Sequence, residues 1–218
     1  MKIAFISDTH SKHKYLENLF TLPPADIIIH SGDVSSIGKS YEIENFLNWF
    51  SNLNQYDHKI FIAGNHDFLF ERYKLFSNEI LKQYKNVHYL EDSGIIINNI
   101  NIWGTPVTPP FMNWAFNREE EKLKQHWENI PNNADILITH GPPYSILDKV
   151  VRNQDNIELV GSRTLENEIF KRIKPKINCF GHIHEMYGIK IKENIKFINA
   201  SSLNERYEVV NEPIVVDV

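Results

Sequence analysis

At 218 residues and 25.6 kDa, the chain is long enough to bury a sizeable core without disulfides or a structural metal. Its 28 acidic against 23 basic side chains, a net charge of −5, argue against a basic face for a long nucleic acid, and 42% hydrophobic with 23% charged residues excludes a disordered or membrane-embedded chain. The single cysteine, Cys179, permits neither an internal disulfide nor a cysteine-based zinc site, which leaves ten histidines as the feature to explain.

In chain order, residues 3–6 form an apolar run leading into Ser7-Asp8-Thr9-His10. That run is too short for a signal-peptide core or a spanning helix, so a cytoplasmic location with a reduced Cys179 is expected. Residues 27–29 lead into His30-Ser31-Gly32-Asp33. From Ser40, apolar side chains recur at Ile43, Phe46, Leu47, Phe50 and Leu53, the spacing of one helix face. Residues 60–63 lead into Gly64-Asn65-His66-Asp67, and residues 69–83 read as a further helix of less regular period. Short strands are expected at 87–90, 95–97 and 102–103. Asn117 is then expected to cap a helix opened by Glu119-Glu120-Glu121, with acids at the amino end. Residues 136–138 lead into Thr139-His140-Gly141, and residues 177–180 into Gly181-His182-Ile183-His184. Strands at 188–191, 195–198 and 214–218 complete the pattern.

Apolar runs without alternation read as strands covered on both faces, and strand–helix–strand repetition implies a largely parallel sheet. Eleven candidate strands are many for one open sheet, so two packed sheets with outer helices are expected. No repeat or linker marks a boundary, and residues 1–218 read as one domain. All five polar clusters fall at carboxyl ends of strands, where ligands of such sheets sit. One composite site follows.

Asp8 and His10 lie two apart, as do His182 and His184, a spacing that projects both side chains of a strand extension to one side. Gly32, Gly64 and Gly181 stand where backbone must approach a ligand closely. The combined set is Asp8, His10, Asp33, Asn65, His140, His182 and His184. Seven nitrogen and oxygen donors exceed the need of one tetrahedral ion and suit two sharing a carboxylate. Imidazole mixed with carboxylate and amide favours Mn, Fe, Zn or Ni over calcium. Two such ions would add about +4 where substrate binds, so the acidic chain can still attract a phosphate.

Taken together and in order, Asp8-Thr9-His10, Gly32-Asp33, Gly64-Asn65-His66-Asp67, His140 and Gly181-His182-Ile183-His184 resemble the motifs of the calcineurin-like metallophosphoesterase superfamily. The resemblance implies an αββα sandwich of two mixed β-sheets flanked by helices. It also implies that Asp8, His10 and His184 hold one divalent ion, that Asn65, His140 and His182 hold the other, and that Asp33 bridges them. His66 matches the position near the scissile phosphate that is not itself a ligand. Trp103-Gly104-Thr105-Pro106, residues 110–116, His140-Gly141-Pro142-Pro143, Gly181-His182-Ile183-His184-Glu185 and Asn199-Ala200-Ser201 further resemble the metallophosphoesterase-domain-containing proteins. That similarity implies a small phosphodiesterase with cyclic-nucleotide-like substrates. Protein Ser/Thr phosphatases carry Arg soon after the bridging aspartate and Glu after the Asn-His pair. Here Val34-Ser35-Ser36-Ile37-Gly38 and Asp67 stand instead, which disfavours a phosphoprotein substrate.

The expected reaction is hydrolysis of a small phosphate ester, foremost a diester of nucleotide type, through a metal-bridging hydroxide, with Mn²⁺ favoured over Fe, Zn, Ni or Mg. His66 would donate a proton to the departing alkoxide, and Asp67 would orient its imidazole. A phosphomonoesterase or nucleotide pyrophosphatase using the same centre is the alternative within the class. A metal-bound interaction module without turnover is the alternative outside it. No membrane partner is expected, and the oligomeric state is not readable. Segments 103–116 and 142–163 read as loops that recognise substrate. Trp103, Phe111, Trp114 and Phe116 are expected to pack their loop onto the core more than to stack on a base. Cys179 is expected in the core, His30 satisfied at a strand end, and His13 at the surface, with His58, His88 and His126 ordinary surface or helix residues. Arg72, Arg118, Arg163 and Arg206 are candidate phosphate contacts, and nothing in the sequence selects one.

Overall fold

The computed structural model describes residues 1–153 and 156–218; Gln154 and Asp155, within the expected recognition segment 142–163, lie outside the described residues. Strand β1 (Lys2–Ile6) and helix α1 (His13–Leu19) open the chain, followed by β2 (Ile27–His30), α2 (Ser40–Ser51) and β3 (His58–Phe61). Helices α3 (Phe68–Arg72) and α4 (Lys74–Leu81) precede β4 (Val87–Tyr89), β5 (Ser93–Ile97) and β6 (Ile100–Thr105). Next come α5 (Glu120–Glu128), β7 (Ile136–Thr139), a hairpin of β8 (Lys149–Asn153) and β9 (Asn156–Leu159), and α6 (Arg163–Glu168). A π-helical turn (Ile169–Ile173) follows α6, a 3-10 turn (His184–Met186) follows the next strand, and strands β10 (Ile177–Phe180), β11 (Gly188–Lys192), β12 (Ile195–Asn199) and β13 (Ile214–Asp217) complete the described elements.

One sheet has the order β13-β1-β2-β3-β4, parallel except for antiparallel β13. The other runs β11-β12-β10-β7-β6-β5, with antiparallel strands at both edges. The uniformly apolar strands explain the layering. Ile3, Phe5, Ile27, Ile29, Ile60 and Ile62 meet Ile102, Ile136, Ile138, Ile177, Cys179 and Ile198 between the sheets. The alternate residues Ala4, Ile6, Ile28 and Phe61 face outward to Ile43, Phe46, Leu47 and Phe50 of α2. Across the second sheet, Leu137, Phe180 and Phe197 are covered from the side of Leu123, Trp127 and Leu165. Each fully buried side chain of this size contributes about 1.5–3 kcal/mol. The result is an αββα sandwich of two mixed sheets. No helix among the described residues is long and apolar enough to cross a membrane.

Four local expectations need correction. The helix over 69–83 breaks at Tyr73, whose φ of −131° and ψ of 51° separate α3 from α4. No single apolar stripe spans both pieces: Leu69, Phe70 and Ile80 are buried, while Leu75 and Phe76 are exposed. Asn117 does not cap α5; the cap is Glu119, and the Asn117 amide donates to the carbonyls of Phe111 and Met112 instead, tying the preceding loop together. His13 is fully buried on α1, stacked on Trp49 at 4.8 Å with Nε2 2.8 Å from Asn45 Oδ1. Flanking lysines give the sequence no hint of that contact with α2. The 142–163 segment holds the β8–β9 hairpin rather than loop alone, its Val151 and Ile157 being 60% exposed and so lacking a core signature.

Candidate metal centre

The parallel strands β1, β2, β3, β7 and β10 all end on one rim, and the loops after them carry Asp8 and His10, Asp33, Asn65 and His66, His140, and His182 and His184. Backbone there leaves the strand path abruptly. Asp8 (φ 52°), His10 (φ 40°), Asp33 (φ 56°) and His182 (φ 67°) all occupy the left-handed region, which costs about 1–3 kcal/mol per non-glycine residue. Partners hold the strain: Asp8 N–H donates to the Gly32 carbonyl, His10 N–H to that of Asp33, and His182 N–H to the Asp8 carboxylate at 3.0 Å. Close approach also excludes side chains. A Cβ on Gly181 would collide with the Asp8 carboxylate, and one on Gly64 with Asp33.

All seven predicted ligand residues converge, and His66 joins them. Ligand atoms within 4.8 Å of one another form three groups: Asp8 with His10 and His184, Asp33 with His140 and His182, and His10 with Asp33 and His66. Asn65 Oδ1 reaches His140 Nε2 at 2.8 Å. Despite their even spacing, His182 and His184 fall in different groups, separated by the turn at His182.

Backbone carbonyls set the histidine tautomers. His184 Nδ1 lies 3.0 Å from the Asn204 carbonyl, His140 Nδ1 3.0 Å from that of Ser31, and His66 Nδ1 2.6 Å from that of Ser36. A carbonyl only accepts, so each Nδ1 carries a proton and each neutral ring aims an Nε2 lone pair inward. There His10 Nε2 and His184 Nε2 face each other at 3.4 Å. Asp33 Oδ2 meets His140 Nε2 at 3.4 Å, His10 Nε2 at 3.6 Å and His66 Nε2 at 4.0 Å. Acceptors crowding on acceptors repel unless cations or protons lie among them. The donor set thus fits divalent cations on both sides of Asp33.

The electrostatics agree. Burial pushes Asp8 and Asp33 up, but the histidines beside them outweigh it and hold both carboxyls well below the usual range. Burial pulls His140 and His184 down, yet Asp33 and Asp8 raise each to about 9. Burial prevails at His10 and His182, lowered to about 4 and about 3.

Asp67 does not orient His66. Its buried carboxylate accepts from the amides of Val34, Ser35 and Gly64 and from Ser35 Oγ at 2.5 Å, so it ties the Asp33 loop to the Asn65–His66 turn. Burial and the Asp33 charge raise it to about 6. The His66 ring is placed by the Ser36 carbonyl and by stacking on Trp114, centroids 3.9 Å apart and 24° between planes. Trp114 thus reaches past its loop into the site, while Phe116 is buried as expected. His30 is satisfied by Thr9 Oγ1 at 2.9 Å, and burial pushes the Cys179 thiol up to about 12. Among the arginines, Arg118 pairs with Glu71 at 2.8 Å, Arg72 covers the Phe68 ring and Arg163 the Tyr144 ring.

Sequence reasoning missed Tyr207. Its ring, 43% exposed, stands 5.0 Å from His10 and 5.2 Å from His184, on a turn whose Asn204 carbonyl holds His184. Ser201 Oγ donates to Asp8 Oδ2 at 2.8 Å. Only the Asn199-Ala200-Ser201 motif signalled this segment; Tyr207 has no sequence signal.

A family model described as calcineurin-like phosphoesterase matches residues 1–186. Metallophosphoesterase domain-containing protein 1 of Homo sapiens is 35% identical over 239 residues, spanning 99% of this chain and 70% of the human one. A 3',5'-cyclic-nucleotide phosphodiesterase of Nostoc sp. is 23% identical over 202 residues, 92% of this chain and 71% of its own. TT1561 of Thermus thermophilus has the same fold, with a TM-score of 0.63 at 15% identity over 91% of this chain and 88% of that one.

Proposed function

Because the chain belongs to the calcineurin-like phosphoesterase family, we propose that it is a dimetal phosphodiesterase acting on small diesters of nucleotide type, working as one unit over residues 1–218 in the cytoplasm. In this reading Asp8, His10 and His184 would hold one divalent ion, Asn65, His140 and His182 would hold the second, and Asp33 would be shared by both, with Mn²⁺ preferred. The observation that carries the reading is the convergence of imidazole Nε2 atoms and carboxylate oxygens around Asp33, with the His140 and His184 rings turned inward by backbone carbonyls. When bound, the ions supply a lowered pKa for water and neutralise phosphate oxygens.

The chain's own residues do the rest. Ser201 holds the Asp8 carboxylate, and the carbonyls of Ser31 and Asn204 hold His140 and His184 in the binding tautomer. His66, with its Nδ1 proton donated to the Ser36 carbonyl, presents Nε2 beside Asp33, and as an imidazolium with a second proton on Nε2 it would deliver that proton to the departing alkoxide and be left with the neutral ring. Trp114 fixes the plane of that ring. The similarity to a cyclic-nucleotide phosphodiesterase supports a diester over a monoester.

The test strips metal, restores Mn²⁺ and compares bis-p-nitrophenyl phosphate with p-nitrophenyl phosphate. Diester preference is expected, together with loss of activity in Asp33→Asn. Monoester preference would move the assignment to a phosphomonoesterase or pyrophosphatase, and full metal loading without turnover to a binding module.

A further inference from the structure

Glu42, in the first turn of α2, is buried although it belongs to none of the ligand groups. Its Oε2 accepts from the Lys39 amide at 2.9 Å, the back-bond of a helix cap. Further donors converge on it from outside the helix. Ser11 Oγ and the Ser36 amide each reach Oε1 at 3.2 Å, and the Ile37 amide reaches Oε2 at 3.3 Å. The loop held in this way touches both rings on its side of the site. The Ser36 carbonyl lies 2.6 Å from His66 Nδ1, and Ser36 Oγ donates to the His10 carbonyl at 3.0 Å. The same loop presses on the turn after His66, where a Cβ on Gly38 would collide with the Phe68 amide. Capping needs only the Lys39 bond, which glutamine makes as well as glutamate. It does not account for a buried carboxylate whose desolvation is offset by donors of the loop. The Ile37 N–H and the Ser36 C=O are two ends of one peptide group, so Glu42 grips one end while His66 bonds the other.

We propose that Glu42 is a positioning residue for His66, acting through the Ser36–Ile37 peptide. It fixes the carbonyl that keeps a proton on Nδ1, and so keeps Nε2 turned toward Asp33 and the departing group. This role rests on the phosphodiesterase reading, in which His66 protonates the departing alkoxide, and adds the group that orients the donor. A peptide is planar, so holding its N–H aims its C=O. A hydrogen bond at one end also strengthens the acceptor at the other. Carboxylates commonly hold functional imidazoles by a direct bond; here a peptide stands between the two. Replacing Glu42 by Gln keeps the volume and the cap but leaves a single oxygen, and turns an NH₂ group toward amides that are themselves donors. The peptide is then free to turn, and neutral His66 can carry its proton on either nitrogen.

The test uses Mn²⁺-loaded protein and two diesters with the same retained arm, methyl phenyl phosphate and methyl p-nitrophenyl phosphate. Phenolate is the poorer leaving group and depends more on a delivered proton. The variants are Glu42→Gln and Glu42→Asp, the second drawing the carboxylate back from the loop. Each should lower kcat about tenfold on the phenyl ester and less than about threefold on the p-nitrophenyl ester, with KM and bound metal unchanged. Combined with His66→Ala, either should cost no further kcat. Equal losses on both esters, or losses that multiply with His66→Ala, would overturn the role and leave Glu42 as a cap. Imidazole ¹⁵N shifts of the metal-free protein, read where His66 is neutral, test the role apart from turnover. Wild type should carry the proton on Nδ1, and the variants on both nitrogens in exchange. A wild-type proton on Nε2, or an Nδ1–H signature unchanged in both variants, overturns the proposal. Should wild type turn over neither diester, the phosphodiesterase reading fails by itself, and the ¹⁵N result alone decides whether Glu42 positions the ring.

Discussion

Loading divalent metal at pH 7 should expel two protons from the chain. His140 and His184, held at about 9 by Asp33 and Asp8 against the opposing effect of burial, are about 99% protonated at that pH. A metal occupies the Nε2 lone pair, so each ring must shed its proton on binding. His10 and His182, pushed down to about 4 and about 3 by burial, are already neutral and release nothing. Displacing a proton two pH units below its pKa costs about 3 kcal/mol. With one raised histidine for each ion in the proposed assignment, apparent affinity should climb about tenfold per pH unit per ion from pH 7 to 9. Titration calorimetry with Mn²⁺, in buffers matched in pH but differing in ionisation enthalpy, yields the proton count from the slope. A count near three at pH 7 is expected, two from the imidazoles and one from the water the ions would acidify, falling toward one above pH 9. A count near one or below at pH 7, or affinity that drops as pH rises, refutes the tautomer assignments and the charge argument together.

The same two histidines make the metal-stripped chain sensitive to alkali. Their folded values lie above the ordinary 6.5, so their stabilisation is complete below pH 6.5 and is lost as pH rises through about 9, up to about 3 kcal/mol for each buried ring. Tm of the stripped protein should fall across that window by scanning calorimetry, and a flat Tm would contradict it. Replacing His66 by Ala should lower kcat about 10²–10⁴-fold with metal content unchanged by elemental analysis; unchanged kcat removes the residue from proton transfer. Ser201→Ala deletes the 2.8 Å donor to Asp8 Oδ2 and should weaken metal binding about 10–100-fold, measured by competition with a chelator.

Much of this protein is legible in one dimension because its chemistry sits where strands end. Isoleucine-rich runs buried on both faces announce the strands, and polar clusters after them mark the rim, so the two-sheet architecture and all seven convergent residues can be read without coordinates. Side-chain partnerships cannot. Asp67 lies next to His66 in sequence, yet its carboxylate is drawn to the amides of Val34, Ser35 and Gly64, and Trp114, far along the chain, covers the imidazole instead. His13 is buried only because α1 packs on α2, and Tyr207 reaches the site only because the turn at Asn204 folds back to hold His184. Composition and local period decide which residue types are available and which segments form strands. Tautomers and the three groups of ligand atoms depend on carbonyls and backbone turns brought together from distant parts of the chain. Asp8 and His182 meet across 174 residues, and such contacts exist only once the sheets have stacked.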